Sequence, residues 1–421
     1  METAELPPPA FCGVDWAEDH HDVAIVDTGG KQLAKARISD DAAGFAQLIT
    51  LLAEHGDLED QRIPVAIETS RGLLIAELRA TGRPVYAINP LAVARYRDRH
   101  SVARRKSDAV DAAALANILR VDRDVHRSLP ADSELAQAIA VLARAQQDAV
   151  WDKGQAQNKL RSQLREFYPA ILAAFAGHRF GLCAIEARTI LAAAPTPTKA
   201  AQLTRRHLRS LLKRAGRVRG IEAEADRLYE IFHRDYMHHL PQVEAAFGRQ
   251  TLALLRQLDI ACTNADELEA ACVEAFDAHP DAPIYTSFPG LGSLSGARIL
   301  AEIGDDRTRF ASAGSLKAYA GSAPVTRASG KSCVVLSRKV KNQRLAAVGY
   351  VWSFSSLTKS PGARAHYDRR RKAGDRHIAA QRNLFNRFMG MLYFCLQHHQ
   401  LYDEAKAFPS PPPTALPAQA A

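Results

Sequence analysis

Phe11-Cys12-Gly13-Val14-Asp15-Trp16-Ala17 is a short apolar run with one carboxylate set near its end. Its length and composition predict a β-strand. A carboxylate in such a strand is costly to bury unless something cationic meets it. The pattern returns downstream. Glu68 ends the apolar run Pro64-Val65-Ala66-Ile67-Glu68, and Asp108 and Asp111 stand three apart in Ser107-Asp108-Ala109-Val110-Asp111-Ala112. That spacing puts Asp108 and Asp111 on one face of a helix that Ser107 can cap. Taken alone, such acids are also ordinary first-turn residues favoured by the helix dipole.

The neighbouring segments decide what the strand belongs to. Val23 to Val26 predict a second strand, and Gly29-Gly30 the turn into a third, Gln32 to Ile38. Phe45, Leu48, Leu51 and Leu52 fall on helical spacing. Val65 to Ile67 form a strand, Ser70 can cap the helix that runs through Leu78, and Val85 to Ile88 form another strand ended by Asn89-Pro90. The order β-β-β-α-β-α-β-α is that of a ribonuclease H fold. In it the fourth strand lies beside the first, so Asp15, Glu68, Asp108 and Asp111 can converge. Four carboxylates suit a hard divalent cation, Mg²⁺ or, as the alternative, Mn²⁺. Two such ions about 4 Å apart would clamp both oxygens of an in-line phosphoryl displacement.

Residues 131 to 167 read differently. Asp132 or Ser133 can open a helix that no proline interrupts before Pro169. Leu135, Ile139, Leu142, Ala149, Ala156, Leu160 and Phe167 follow heptad spacing, with Gln146 and Lys153 breaking the seam. A long paired helix is expected. Residues 170 to 280 read as helical, with a break at Ala194-Pro195-Thr196-Pro197-Thr198. From Phe288-Pro289-Gly290-Leu291-Gly292 the chain carries a helix-hairpin-helix signature. There Gly290 and Gly292 allow a tight turn whose N–H groups face outward toward a phosphate.

The chain has 421 residues and a net charge of +9, and its cations cluster. Arg104, Arg105 and Lys106 abut the Asp108–Asp111 pair. Arg205 to Arg219 holds seven, and Lys331, Arg338 and Lys339 follow Ser329. This points to a polyanion, that is, nucleic acid. No apolar run approaches the roughly 18 residues of a membrane helix, and the N-terminus lacks a signal-peptide pattern. A cytoplasmic, nucleoid-associated protein without a membrane partner is expected. The six scattered cysteines are expected to be buried thiols, not zinc ligands or disulfides.

Taken together, two motif blocks resemble a known family. The first holds Gly13-Val14-Asp15, Ile67-Glu68-Thr69-Ser70, Ile88-Asn89-Pro90 and Ser107 to Ala112. The second holds Phe288 to Gly292, Ala301-Glu302-Ile303-Gly304, Arg309-Phe310, Ala318 to Pro324 and Ala328-Ser329-Gly330-Lys331. They resemble the DEDD-type insertion-sequence transposases, the "one-ten" insertion-sequence family of bridge-RNA-guided recombinases, over nearly the whole chain. The fold class expected is α/β plus all-α. Residues 1–128 are a RuvC-like domain of ribonuclease H type, 129–280 a helical coiled-coil arm, 281–408 a mainly helical transposase domain, and 409–421 a disordered tail. The resemblance implies a catalytic serine, placed at Ser329 with Ser322, Ser332 and Ser337 as rivals. It implies a phosphoserine intermediate assisted by the metal-bound tetrad. It also implies donor and target DNA, a guide (bridge) RNA, and a homo-oligomer of two or four copies. The competing readings are a metal-dependent hydrolytic nuclease or Holliday-junction resolvase using water, and a non-catalytic basic scaffold.

Overall fold

The structure is a computed structural model that describes residues 7–100, 108–330 and 332–409, the side chains of residues 100, 108 and 109 excepted. The chain divides into two compact units, residues 1–131 and 132–421. The predicted tail, from residue 410 on, lies outside the described residues.

The first unit is a mixed α/β structure. Strands β1 (Ala10–Trp16), β2 (His20–Asp27) and β3 (Gln32–Ser39) form an antiparallel meander. Helix α1 (Ala42–Glu54), strand β4 (Val65–Ile67), helix α2 (Leu73–Ala80), strand β5 (Val85–Ala87) and helices α3 (Pro90–His100) and α4 (Asp108–Asp122) follow. The sheet order is β3-β2-β1-β4-β5, with β4 parallel to both β1 and β5. The central strand β1 is buried on both faces, because alternate side chains point to opposite sides. Cys12 and Val14 join Leu48, Leu52, Leu74 and Leu78 of α1 and α2. Phe11 joins Val93, Leu115, Ile118 and Leu119 of α3 and α4 on the other side.

Two details differ from the sequence expectation. β2 begins at His20, three residues early: His21 and Asp22 are buried, His21 bonded to Asp40 and Asp22 paired with Arg37. Ser70 does not cap α2. Thr69 Oγ1 accepts the Arg71 N–H at 3.2 Å, and the chain swings at Gly72 (φ +116°), which becomes the cap residue.

The second unit is almost wholly helical. Helix α5 (Glu134–Phe167) is capped by Ser133, whose hydroxyl accepts the Ala136 N–H. Asp132 instead accepts the N–H groups of Asp305 and Asp306. Five shorter helices follow: α6 (Pro169–Phe175), α7 (Ile185–Ala193), α8 (Pro197–Ala201), α9 (Arg205–Arg214) and α10 (Ile221–Phe232). Helix α11 (Pro241–Asp277) then returns antiparallel along α5, as the pairs Gln146–Glu269, Lys153–Asp266 and Gln163–Thr251 show. Helices α12 (Ala282–Thr286), α13 (Ser293–Ile303) and α14 (Ala313–Tyr319) come next, then the hairpin β6 (Val325–Ser329) and β7 (Ser332–Leu336). Helices α15 (Gln343–Ser356), α16 (Pro361–Lys372), α17 (His377–Gln397) and α18 (Glu404–Ala407) complete the unit. Its aromatic centre is Trp352, stacked on Phe388 with ring centroids 4.9 Å apart.

The heptad seam is only partly followed. Leu142 and Ala156 are half-buried, while Ala143, Gln146, Gln147, Gln163 and Leu164 are buried. Several helices, not one partner, cover α5. Four cysteines are buried as expected, Cys183 is half-buried, and Cys333 is exposed on β7. Among the described residues no helix is long and apolar enough to cross a membrane.

Candidate functional site

Asp15 and Glu68 lie at the same end of adjacent parallel strands. Val14 is in register with Ile67, so the residue after each is Asp15 on β1 and Glu68 just past β4. The alternation also fixes their face. Phe11 and Ala66 both contact the core beneath α3 and α4. Asp15 is four residues from Phe11 and Glu68 two from Ala66, so both fall on that face.

Helix α4 lies on the same face and runs against β1. A Cβ on Gly13 would stand 2.0 Å from the Ala112 carbonyl oxygen and 2.5 Å from the Ala116 nitrogen. Further along, Arg120 Nη1 donates to the Thr28 carbonyl at 3.4 Å, in the turn beside the Ala10 end of β1. The first turn of α4, with Asp108 and Asp111, therefore opens toward the Asp15 end of the strand. Asp111 is buried and bonded by Arg97 of α3, whose Nη1 reaches its two oxygens at 2.5 and 2.7 Å. The side chain of Asp108 lies outside the described residues, as do Ser107, Arg104, Arg105 and Lys106. Among the described residues no group of three or more His, Cys, Asp or Glu side chains is arranged to hold a metal. The donors themselves, all carboxylate oxygens, suit a hard divalent cation.

One acid on this face was not singled out from the sequence. Asp22 faces Asp15 across the β1–β2 pair and is buried. Arg37 neutralises it, with Nη2 at 2.8 Å and Nε at 3.3 Å. The signal was the run His20-His21-Asp22-Val23, whose strand was expected to start one residue too late to include it. His21 is buried and structural: its Nε2 donates to Asp40 at 3.1 Å, and its Nδ1 accepts the Ala17 N–H.

The serine candidates divide by exposure. Ser322 is buried and its hydroxyl lies 3.2 Å from both the Lys317 carbonyl and Asn386 Oδ1. Ser329, Ser332 and Ser337 are exposed. Ser329 and Ser332 face each other at the turn end of the β6–β7 hairpin, where Gly330 has φ +55°. Lys331 lies outside the described residues. Nearby, Lys339 is exposed, and Arg338 is half-buried with its Nε left without an acceptor among the described residues.

The turn before α13 does not match its expected role throughout. Gly290 has φ +75°, and a Cβ there would meet the Ser356 nitrogen at 2.7 Å. It presses on α15 instead of facing outward. Gly292 is exposed with open space around it, and caps α13 without a side-chain hydrogen bond.

Comparison with known proteins shows what this arrangement belongs to. Residues 12–169 match the transposase family of the DEDD IS110 type, and residues 282–378 match the transposase IS116/IS110/IS902 family. A Streptomyces coelicolor protein described as the mini-circle transposase for IS117 is 62% identical over 398 residues, covering 94% of this chain and 96% of its own. The chain belongs to the IS110 family of transposases. Two more distant relatives are also similar over nearly full length. The 42 kDa protein of insertion element IS900 from Mycobacterium paratuberculosis is 27% identical, covering 94% of this chain and 98% of its own. The 43.6 kDa protein of insertion element IS110 from Streptomyces coelicolor is 28% identical, covering 93% and 95%. The first family match takes in the five-stranded sheet from Cys12 onward and α5. The second takes in the α12–α13 turn, the hairpin and the arginine-rich α16.

Proposed function

We propose that this IS110-family transposase cuts and rejoins DNA strands. Its first unit acts as a ribonuclease H-like, RuvC-type domain, and Ser329 is the nucleophile. The observation that carries the reading is the docking of α4 on β1 at Gly13. It opens the first turn of α4 toward the strand end that bears Asp15 and Glu68. In this reading Asp15, Glu68, Asp108 and Asp111 hold Mg²⁺ or Mn²⁺. A divalent cation so held supplies positive charge to the oxygens of the scissile phosphate. Arg97, paired with Asp111, limits the repulsion among the carboxylates and orients that ligand.

Ser329 is favoured over Ser322 because its hydroxyl is exposed and not committed to the core. A new bond forms between the Ser329 oxygen and phosphorus as one DNA oxygen leaves. The serine gives up a proton and the departing oxygen takes one. The phosphoserine link keeps the energy of the phosphodiester, so rejoining needs no nucleotide. Arg338 carries an unsatisfied donor, and Lys331 and Lys339 flank it in sequence. All three suit contacts to phosphate oxygens, as do Arg104, Arg105, Lys106 and the exposed Gly292 at the start of α13. Functionally, 1–128 is the RuvC-like DEDD domain, 129–280 a coiled-coil arm and 281–408 the transposase domain that carries Ser329 and the helix-hairpin-helix. Guide RNA and an assembly of two or four copies complete the reading and rest on the family resemblance.

Two variants test the scheme. Asp15→Ala should abolish strand cleavage while DNA binding stays measurable. Ser329→Ala should remove the covalent protein–DNA adduct on a denaturing gel. An adduct that persists moves the nucleophile to Ser332 or Ser337. Cleavage by the wild type with no adduct at all makes the protein a hydrolytic nuclease or junction resolvase.

A further inference from the structure

The arginine-rich stretch in the middle of the chain takes no part in the scheme above, and it lies between the two family matches. Residues 169–240 hold twelve Lys and Arg against six Asp and Glu, so this stretch carries six of the nine net charges of the whole chain. The ion pairs show where the acids go. Glu222 is held by Arg209 at 3.0 Å, and Asp226 and Glu230 by Arg205 at 2.8 and 2.6 Å. Glu224 is held by Arg227 at 2.7 Å, and Glu186 by Arg217 at 3.7 Å. Arg205 also lies over the Tyr229 ring at 3.8 Å. Three of the four acids of α10, Glu222, Asp226 and Glu230, thus clamp α10 against one flank of α9.

The other flank of α9 keeps its charge. Leu208, Leu211 and Leu212 are buried. Successive helical residues turn by about 100°, so Arg206, Ser210, Lys213 and Arg214 point away from the leucines. All three cations are exposed, and none forms an ion pair with a described residue. Arg219, just past the helix, is exposed and unpaired in the same sense. The helix is held in place by Thr204, whose hydroxyl accepts the His207 N–H at 3.2 Å.

We propose that this outward face of α9 is a contact surface for the phosphate backbone of duplex DNA. Charge complementarity names a polyanion. The face bears no Phe, Tyr or Trp on which single-stranded bases would stack. A rigid helix about 10–12 Å across fits against the major groove of B-form DNA, about 12 Å wide, and not the deep, narrow one of duplex RNA. Arg206 and Lys213 are about 10 Å apart along the axis, enough to reach separate phosphates. The surface holds DNA without reading it.

The inference rests on the DNA-acting reading above, and its test is kept apart from cleavage. Binding of the full-length protein to a 30-base-pair DNA, and to RNA duplex of the same sequence, would be followed by fluorescence anisotropy over a salt series in chelator. The combined variant R206Q/K213Q/R214Q should lose about tenfold in DNA affinity near 100 mM salt. The slope of log affinity against log salt should shrink by about 2–3, close to 0.9 per lost phosphate contact. Each single Gln variant should lower the slope by about one, which keeps the test open if the triple variant folds poorly. The swap R206K/K213R/R214K should bind like the wild type. Wild-type binding with an unchanged slope in every Gln variant overturns this inference alone. A loss confined to the RNA duplex overturns it in favour of an RNA surface. Wild-type protein that binds no DNA overturns the broader reading as well.

Discussion

A methyl group on Gly13 would stand 2.0 Å from the carbonyl oxygen of Ala112 and 3.0 Å from the Leu115 side chain. The clash is with the backbone of α4, which cannot move without leaving the sheet. Gly13→Ala should therefore cost about 1–3 kcal/mol and lower the unfolding temperature. It should also reduce cleavage more than DNA binding, because the first turn of α4 is displaced from Asp15. Equal losses of both activities would argue that the glycine serves stability alone. The sequence put Gly13 in a motif but gave no reason for it; the reason is a helix that is 99 residues away at Ala112. Asp22 was missed for a related reason. Its burial depends on Arg37, a cross-strand partner that spacing along the chain does not reveal.

At the scale of elements, α5 is the clearest case. Its length and N-cap were legible, since no proline interrupts it and Ser133 stands where a cap belongs. The polar break at Gln146 was legible, but not its purpose. Gln146 is fully buried, and its carbonyl oxygen accepts from Arg298 Nε at 3.1 Å and from Nη2. Burial pulls the Arg298 pKa below its ordinary value. Gln146→Leu would complete the heptad yet strand that guanidinium without its acceptor. A loss of about 1–3 kcal/mol is expected, read as a lower urea midpoint. A gain in stability would show that the apolar seam outweighs the bond. The β6–β7 hairpin, with every residue but Val325 exposed among those described, went unread because its strands carry no buried face to give an alternating pattern.

For the molecule as a whole, three carboxylates of the second unit, one buried and two half-buried, set an acid limit. Burial pushes Asp305 upward, but the hydroxyl and N–H of Ser133 and the His279 ring outweigh it and hold the carboxyl below its ordinary value. Burial likewise opposes Glu244, which the N–H and hydroxyl of Thr198 hold down, and Glu404, which Ser360, Tyr402 and the Gly362 N–H hold down. Each group prefers its charged form in the folded state. The stability it lends is present above the unfolded carboxylate pKa, about 4, and is lost as the pH falls through the folded value. The contribution of these three groups should be nearly flat from pH 7 to 5, and the unfolding temperature should fall below about pH 4. Asp305→Asn should flatten part of that fall; an unchanged profile would remove Asp305 from the account.

The order of strands and helices in the first unit, the long helix after Ser133, the basic character and the carboxylates worth watching were all determined by local pattern. Periodicity, caps and turn residues act over a few positions, and one sequence displays them directly. Which face Asp15 and Glu68 share, why position 13 tolerates only hydrogen, what Gln146 answers, and which arginines of α9 are spent on α10 were decided by tertiary packing. Those depend on groups far apart in the chain, and only the folded backbone brings them within contact distance.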